Sequence, residues 1–471
     1  MMKYLFVMAM FLAACGQGVE TGQVKSSFPI RLITLDPGHF HAALVQKSMY
    51  PDVDTVVHVY APAGQEVKGH LALIDKYNTR AGQPTKWKEV VYEGPDYLSR
   101  MFTERAGNVV VIAGNNKKKI DYIKASVDSG LHVFSDKPMI IEPGDLSKLE
   151  AAFASAKKNK VILYDIMTER YQITTILQRR LSLMPELFGQ LQKGSKDDPA
   201  VTKESVHHFF KSVSGKPLIR PVWYFDVTQE GEGIVDVATH LVDLIQWECF
   251  PDSILDYKKD IEMLSARRWP TVLSPGEFEK VTGVKRDSAL SVYANGEMDY
   301  TLKGVHARVS VKWNFEAPEG GGDTHYSVLR GTLASLIIRQ GKEQHYKPVL
   351  SIEPVKGMSR EGDGEPVKGL GQVSGGGAVK KAADYEQVVQ KVVVGLQGKY
   401  PGLSVVRTAK GWDVTVPDQF SLDHEATFAE VTKKYLGFVK SGTMPEWEVP
   451  NMLAKYYTTM KALEMARMEG R

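Results

Sequence analysis

Between residues 30 and 166 the chain alternates short apolar runs with stretches of helical spacing, and that rhythm limits the fold more than any other feature. "IRLITL" (30–35), "TVVHVYA" (55–61), "WKEVVYEG" (87–94), "NVVVIAG" (108–114), "LHVFSDKPMII" (131–141) and "KVILYDI" (160–166) read as strands. A helix over Ala42–Ser48 follows the first, and "KKIDYIKASVDSG" (118–130) is a helix closed by a glycine C-cap. A run as continuous as "NVVVIAG" suits a strand buried on both faces. Strands and helices in this alternation predict an α/β fold with a Rossmann-type, doubly wound parallel sheet over residues 29–166.

Beyond residue 200 the character changes. "VHHFF", "VWYFDV", "HARVSVKWNF", "HYSVLRGT" and "SLIIRQ" read as strands of a large, mostly antiparallel sheet, interrupted by a helix in "GIVDVATHLVDLIQW". Residues 167–471 are therefore expected to form a C-terminal α+β domain that ends in helices. Residues 355–381 are glycine-rich and read as an exposed loop. Its "GLGQVSGGG" has no strand before it and no helix after it, so it is not read as a dinucleotide turn.

The first residues carry a different signal. Lys3 precedes nine apolar residues, Tyr4–Leu12, and "LAAC" ends at Cys15. A bilayer span needs about 20 such residues, so this reads as an export signal. Small residues before a cysteine resemble a bacterial lipoprotein cleavage site. The expectation is a signal peptide at 1–14, lipid on Cys15, a tether over 15–28, and a periplasmic or outer-membrane-anchored protein. Cys249 is the only other cysteine, so acylation of Cys15 excludes an intrachain disulfide. A net charge of +3, with Lys117–Lys119 the one notable basic run, argues against a nucleic-acid partner.

Three places carry candidate chemistry. Lys137 ends a parallel strand, where open α/β sheets bind ligands, and an ammonium there can stabilise a forming alkoxide. Asp236 and His240 stand four apart, which on a helix places a carboxylate beside an imidazole suited to general-base work. Asp243 is read as a cap or an ion-pair partner. The turn "LDPGHFHAAL" (35–44) holds one glycine, Gly38, with His39 and His41. No metal is expected there, because two histidines two apart with no nearby cysteine match no standard zinc spacing.

Asp136-Lys137-Pro138 after its strand, and "GEGIVDVATHLVDL" (231–244), together resemble the glucose–fructose oxidoreductase/inositol dehydrogenase (Gfo/Idh/MocA) family over roughly residues 30–330. The resemblance implies NAD or NADP as cofactor and a sugar or glycoside hydroxyl as substrate. Lys137 would position the hydroxyl, His240 take its proton, and Asp236 support the site. It sets Asp36, Gly38 and His41 at the three glycine positions of the cofactor turn, and makes His39, Phe40, Tyr60, Gly114, Asn115, Asn116, Asp136, Lys137 and Pro138 cofactor contacts. The second strand ends Tyr60-Ala61 without the usual ribose-binding acid, which leaves NAD against NADP open. Lys119 stands where the family has a histidine, to meet a phosphate or face water. On the second-domain sheet His207, His208, Trp223 and Tyr224 are candidate substrate contacts, with Lys216, Arg220 and His325 beside them. Export sets this fold where free NAD is scarce, so two further functions stand beside net oxidation: a redox-neutral NAD-dependent glycosidase and an inactive carbohydrate-binding lipoprotein. A homo-oligomer through the C-terminal sheet is expected by the same resemblance.

Overall fold

The computed structural model describes residues 29–213, 216–355 and 375–469. The leader, Cys15 and the tether lie outside the described residues, as do residues 356–374 of the glycine-rich stretch and the Lys216 side chain.

The first domain runs β1 (Leu32–Leu35), α1 (His41–Leu44), β2 (Val56–Ala61), α2 (Gln65–Thr79), β3 (Lys88–Glu93), α3 (Tyr97–Glu104), β4 (Val109–Ile112), α4 (Lys119–Asp128), β5 (His132–Asp136), α5 (Leu146–Asn159) and β6 (Leu163–Ile166). All six strands are parallel, in the order β3-β2-β1-β4-β5-β6. The crossover from β3 back to β4 makes a switch point between β1 and β4, above which open sheets bind ligands. β1, β4 and β6 are buried at every position, which is why they read as unbroken apolar runs.

One helix departs from expectation. α1 has four residues rather than spanning Ala42–Ser48; turns follow it and Pro51 bars further helix. The sheet face beside it is covered by a segment from the far end of the chain, α12 (His424–Ser441) in the numbering completed below. Its Tyr435 stacks on Phe134 with ring centroids 4.3 Å apart and packs with Leu32 and Val109.

The second domain contains α6 (Ile173–Ser182), α7 (Pro185–Phe188), β7 (Val201–Phe210), the small hairpin β8 (Ser212–Val213) and β9 (Lys216–Pro217), α8 (Ala238–Cys249), α9 (Tyr257–Asp260), β10 (Ile261–Leu273), α10 (Pro275–Thr282), β11 (Leu290–Leu302) and β12 (Val305–Glu316). After these come β13 (Thr324–Arg330), β14 (Ala334–Gln340), β15 (Val349–Pro354), α11 (Gly375–Leu396), β16 (Ser404–Arg407), β17 (Trp412–Thr415), α12 and α13 (Glu448–Glu469). Nine strands form one sheet, β10-β11-β12-β7-β13-β14-β15-β17-β16, antiparallel throughout except at β12 and β7.

Two local expectations fail. "VWYFDV" is not a strand: Pro221 leads into a 3-10 turn over Val222–Phe225. The glycine-rich stretch does not stay a loop to residue 381, because α11 begins at Gly375. Among the described residues no helix is long and apolar enough to cross a membrane.

A buried charge cluster fastens the domains together. Asp243 of α8 takes both arms of Arg170, at 2.6 and 2.7 Å, and Lys455 of α13 at 2.9 Å. Lys455 also reaches Asp165 of β6 at 2.6 Å, and Arg170 reaches Glu448 at 3.2 Å. Asp243 thus ion-pairs, as its sequence context suggested.

Candidate functional site

A cleft of about 1060 Å³ lies between the domains. The first domain lines it with His39, Phe40, His41, Gly114, Asn116, Asp136 and Lys137, and the second with His207, Tyr224, Glu230, Asp236, His240, Trp313, Asp323 and His325. Lys137 and Asp236, 99 positions apart in the chain, meet here: Nζ to Oδ1 is 2.5 Å. Burial works against the lysine charge, but Asp236 and Asp136 outweigh it and hold the ammonium above its usual range.

The expected pairing of Asp236 with His240 does not occur. α8 starts only at Ala238, so Asp236 sits in the turn before the helix and grips Lys137 instead. That turn follows from packing: a Cβ on Gly233 would lie 1.8 Å from the Ala294 carbonyl oxygen of β11. His240 lines the cleft with its Nδ1 buried and without a partner. Burial, then the nearby Lys137 charge, push its pKa well below the usual histidine range, so the imidazole is neutral. Glu230 goes the other way: burial and the Asp236 charge raise its carboxyl well above the usual range.

The cofactor turn is rebuilt rather than merely eroded. The Gly38 and His39 amides donate to the Ala113 carbonyl at 3.1 and 3.2 Å. A Cβ on Gly38 would touch Gly114 and the Trp223 ring, both at 3.4 Å, so this glycine lets β1, β4 and Trp223 come together rather than admitting a pyrophosphate. Asp36 holds φ +45° and accepts from the Tyr122 hydroxyl at 2.7 Å. Tyr60 is buried, its hydroxyl donating to Glu104 at 2.6 Å. Neither Asp36 nor Tyr60 lines the cleft.

Asn115 caps the following turn through Lys117 N–H (3.0 Å) and donates to Gln229 at 2.7 Å, and Asn116 donates to the Glu230 carbonyl at 2.6 Å. Pro138 follows a cis peptide bond. Lys119 faces neither phosphate nor water; it is buried, its Nζ donating to the Asp136 carbonyl at 3.0 Å.

Of the substrate candidates, Tyr224 and His207 line the cleft, with Arg220 stacked 4.4 Å over Tyr224 and His207 stacked 4.9 Å from Trp313. His325 lines it too, pushed down to about 3 by burial. His208 points off the cleft and is buried against Asp323 at 3.0 Å, as strand alternation requires of one of the pair. Trp223 packs on Gly38 instead of facing the cleft.

Sequence reasoning missed Glu230, Trp313, Asp323 and His424. Trp313 and Asp323 sit within or beside strand patterns with nothing to mark them. Only the tertiary fold brings His424 next to His41, 383 positions away.

The redox end of a dinucleotide fits this cleft. Lys137, Asn116 and the His240 ring surround a space at the C-terminal ends of β4 and β5, where residues 113–116 and 136–138 would hold a nicotinamide. The usual glycine-turn amides are not free for the phosphates.

The comparisons agree with this architecture. Residues 39–165 match the GFO_IDH_MocA family model, "Oxidoreductase family, NAD-binding Rossmann fold", and residues 177–369 and 377–467 match "Putative oxidoreductase C terminal domain". No curated protein matches the chain. The crystal structure of a "putative oxidoreductase" from Parabacteroides merdae is 51% identical, covers 93% of this chain and 98% of its own, and superposes with a TM-score of 0.86. KijD10, a 3-ketoreductase from Actinomadura kijaniata solved with NADP and TDP-benzene, shares the fold at 12% identity, covering 93% of this chain and 98% of its own (TM-score 0.55). GenD2 from gentamicin A biosynthesis, solved with NAD, does so at 13% identity over 94% and 95% of the two chains (TM-score 0.53). A parallel sheet with its switch point at the cleft, Lys137 at a strand end and two matching family models lead to one conclusion: this chain belongs to the Gfo/Idh/MocA family of oxidoreductases with an NAD-binding Rossmann domain.

Proposed function

We propose that the protein moves hydride between a CH–OH carbon of a sugar or glycoside and a nicotinamide cofactor. The observation that carries this reading is the Lys137–Asp236 contact of 2.5 Å in a cleft that also holds a neutral, unpartnered His240. Lys137, its charge balanced by Asp236, donates to the substrate hydroxyl oxygen and stabilises the alkoxide as it forms. The neutral His240 accepts the hydroxyl proton. Bound nicotinamide supplies the acceptor for the hydride. Tyr224, Trp313 and His207 contribute ring edges and the His207 imidazole to the cleft wall that a sugar would meet.

Glu230 favours redox-neutral cleavage as a second reading. Oxidation of a ring hydroxyl acidifies the neighbouring C–H; loss of that proton to water expels the substituent one carbon further on, water adds at the carbon it left, and the hydride returns to the carbonyl carbon. A carboxyl whose proton is held more tightly than usual by burial and the Asp236 charge can then protonate the departing oxygen.

The test follows NAD(P)H absorbance and sugar products together, over a panel of sugars and aryl glycosides. Lys137→Ala should reduce turnover by about a hundredfold or more. Unchanged turnover in that variant would refute the site. Aglycone release without net NAD(P)H, lost in Glu230→Gln, would select the second reading.

A further inference from the structure

We propose that His39, His41 and Asp136 form a site for one divalent transition-metal ion of the zinc class, with a coordination position open to the cleft. Three donor atoms converge. His41 Nδ1 is 2.9 Å and His39 Nδ1 3.3 Å from the same oxygen, Asp136 Oδ2, and all three lie within 4.8 Å of one another. Ligand atoms bonded at about 2.0–2.1 Å to one ion stand roughly 3.0–3.4 Å apart; His39 Nδ1 is at that separation from Asp136 Oδ2 and His41 Nδ1 lies just inside it.

The His39 Nδ1 is buried and, although 3.3 Å from Asp136 Oδ2, makes no well-aligned hydrogen bond, a condition that a bound cation relieves. Asp136 has no second oxygen to share, since Oδ1 accepts the Lys137 amide at 2.9 Å. One carboxylate oxygen facing two imidazole nitrogens is a ligand arrangement more than a hydrogen-bonded one.

The surroundings support the same assignment. With Nδ1 on the ion, His41 carries its hydrogen on Nε2 and donates it to His424 Nε2, 3.0 Å away. Metal-bound histidines habitually donate their second ring N–H in this way. The Lys137 amide orients the carboxylate, and Asp236 offsets the Lys137 charge that would otherwise repel a cation. His39, His41, Asp136 and His424 all line the cleft, so the fourth position faces whatever oxygen-bearing molecule occupies it. Chain spacing concealed the site because the carboxylate comes from β5, 95 residues beyond His41.

The experiment uses the full chain, stripped with a chelator and titrated with Zn2+ by calorimetry and with Co2+ by visible absorption. One equivalent should bind with a Kd of about 10 μM or tighter, and Co2+ should give ligand-field bands. His39→Ala should weaken binding at least tenfold, and His424→Gln about tenfold with a changed Co2+ spectrum. His39 is the partly exposed member, at 24% of its side chain, so its variant keeps the fold, checked by circular dichroism. A wild-type Kd above about 1 mM would overturn the proposal. Equal affinity in wild type and His39→Ala would overturn it too, by placing the ion elsewhere.

Discussion

Asp243→Ala tests whether the buried charges hold helix α8 in place. The carboxylate is 2% exposed, accepts both arms of Arg170 at 2.6 and 2.7 Å, and accepts from Lys455 at 2.9 Å. Its removal leaves Arg170 with Glu448 at 3.2 Å and Lys455 with Asp165 at 2.6 Å, so each cation keeps one partner but loses charge balance in the interior. Breaking a buried pair from one side costs about 3–5 kcal/mol. With a urea slope of about 3–4 kcal/mol/M for a chain this long, the midpoint should fall by about 1 M.

Burial alone would raise the Asp243 pKa, but Arg170 and Lys455 outweigh it and hold the carboxyl well below its usual range. A depressed folded-state value stabilises the fold above the unfolded value of about 3.9, and this stabilisation is lost as the pH falls through the folded one. The difference between wild type and Asp243→Ala should therefore be flat from pH 5 to 8 and shrink below about 4. In a cycle with Lys455→Met, the two losses should fall short of additive by about 1–3 kcal/mol. A single-variant loss under about 1 kcal/mol, or additivity within about 0.5, would refute the reasoning.

Three other outcomes are expected. Glu89, raised to about 7 by burial beside Gln46, destabilises the fold increasingly as the pH climbs from about 4.5 to 7; Glu89→Gln should gain up to about 2 kcal/mol at pH 8 and little at pH 4, read from urea midpoints. Gly114→Ala would set a Cβ 2.4 Å from the Asp36 carbonyl oxygen and 2.9 Å from the Gly38 nitrogen. It should cost about 1–3 kcal/mol and reduce the thermal shift given by NAD(P)H. Cys15→Ser should release the protein from the membrane fraction of a producing cell and abolish incorporation of labelled palmitate, checked by fractionation and autoradiography.

What could be read in the chain, and what could not, divides by range. Unbroken runs such as Val109–Ile112 announced a parallel sheet because both faces of the strand are covered, whichever part of the chain supplies the cover. Lys137 was legible because a strand end places it. The length of α1 was not legible, since α12, nearly 400 residues later, decides what covers that face. Nor was the partner of Asp236: helical spacing assigned it to His240, whereas the close approach of Gly233 to β11 stops the helix short. Gly38, expected to admit a pyrophosphate, instead lies against Gly114 and Trp223.

The position of His424 also bears on how such a chain matures. The last tenth of the message encodes both a wall of the cleft and a helix that roofs the first sheet, so a nascent polypeptide stays incomplete as an enzyme until synthesis is almost over. If the leader directs secretion, a half-made chain has no finished pocket to trap a ligand before it threads outward. Shortening the tail by even fifty residues would leave the nucleotide domain with an uncovered apolar flank and hand it to proteases.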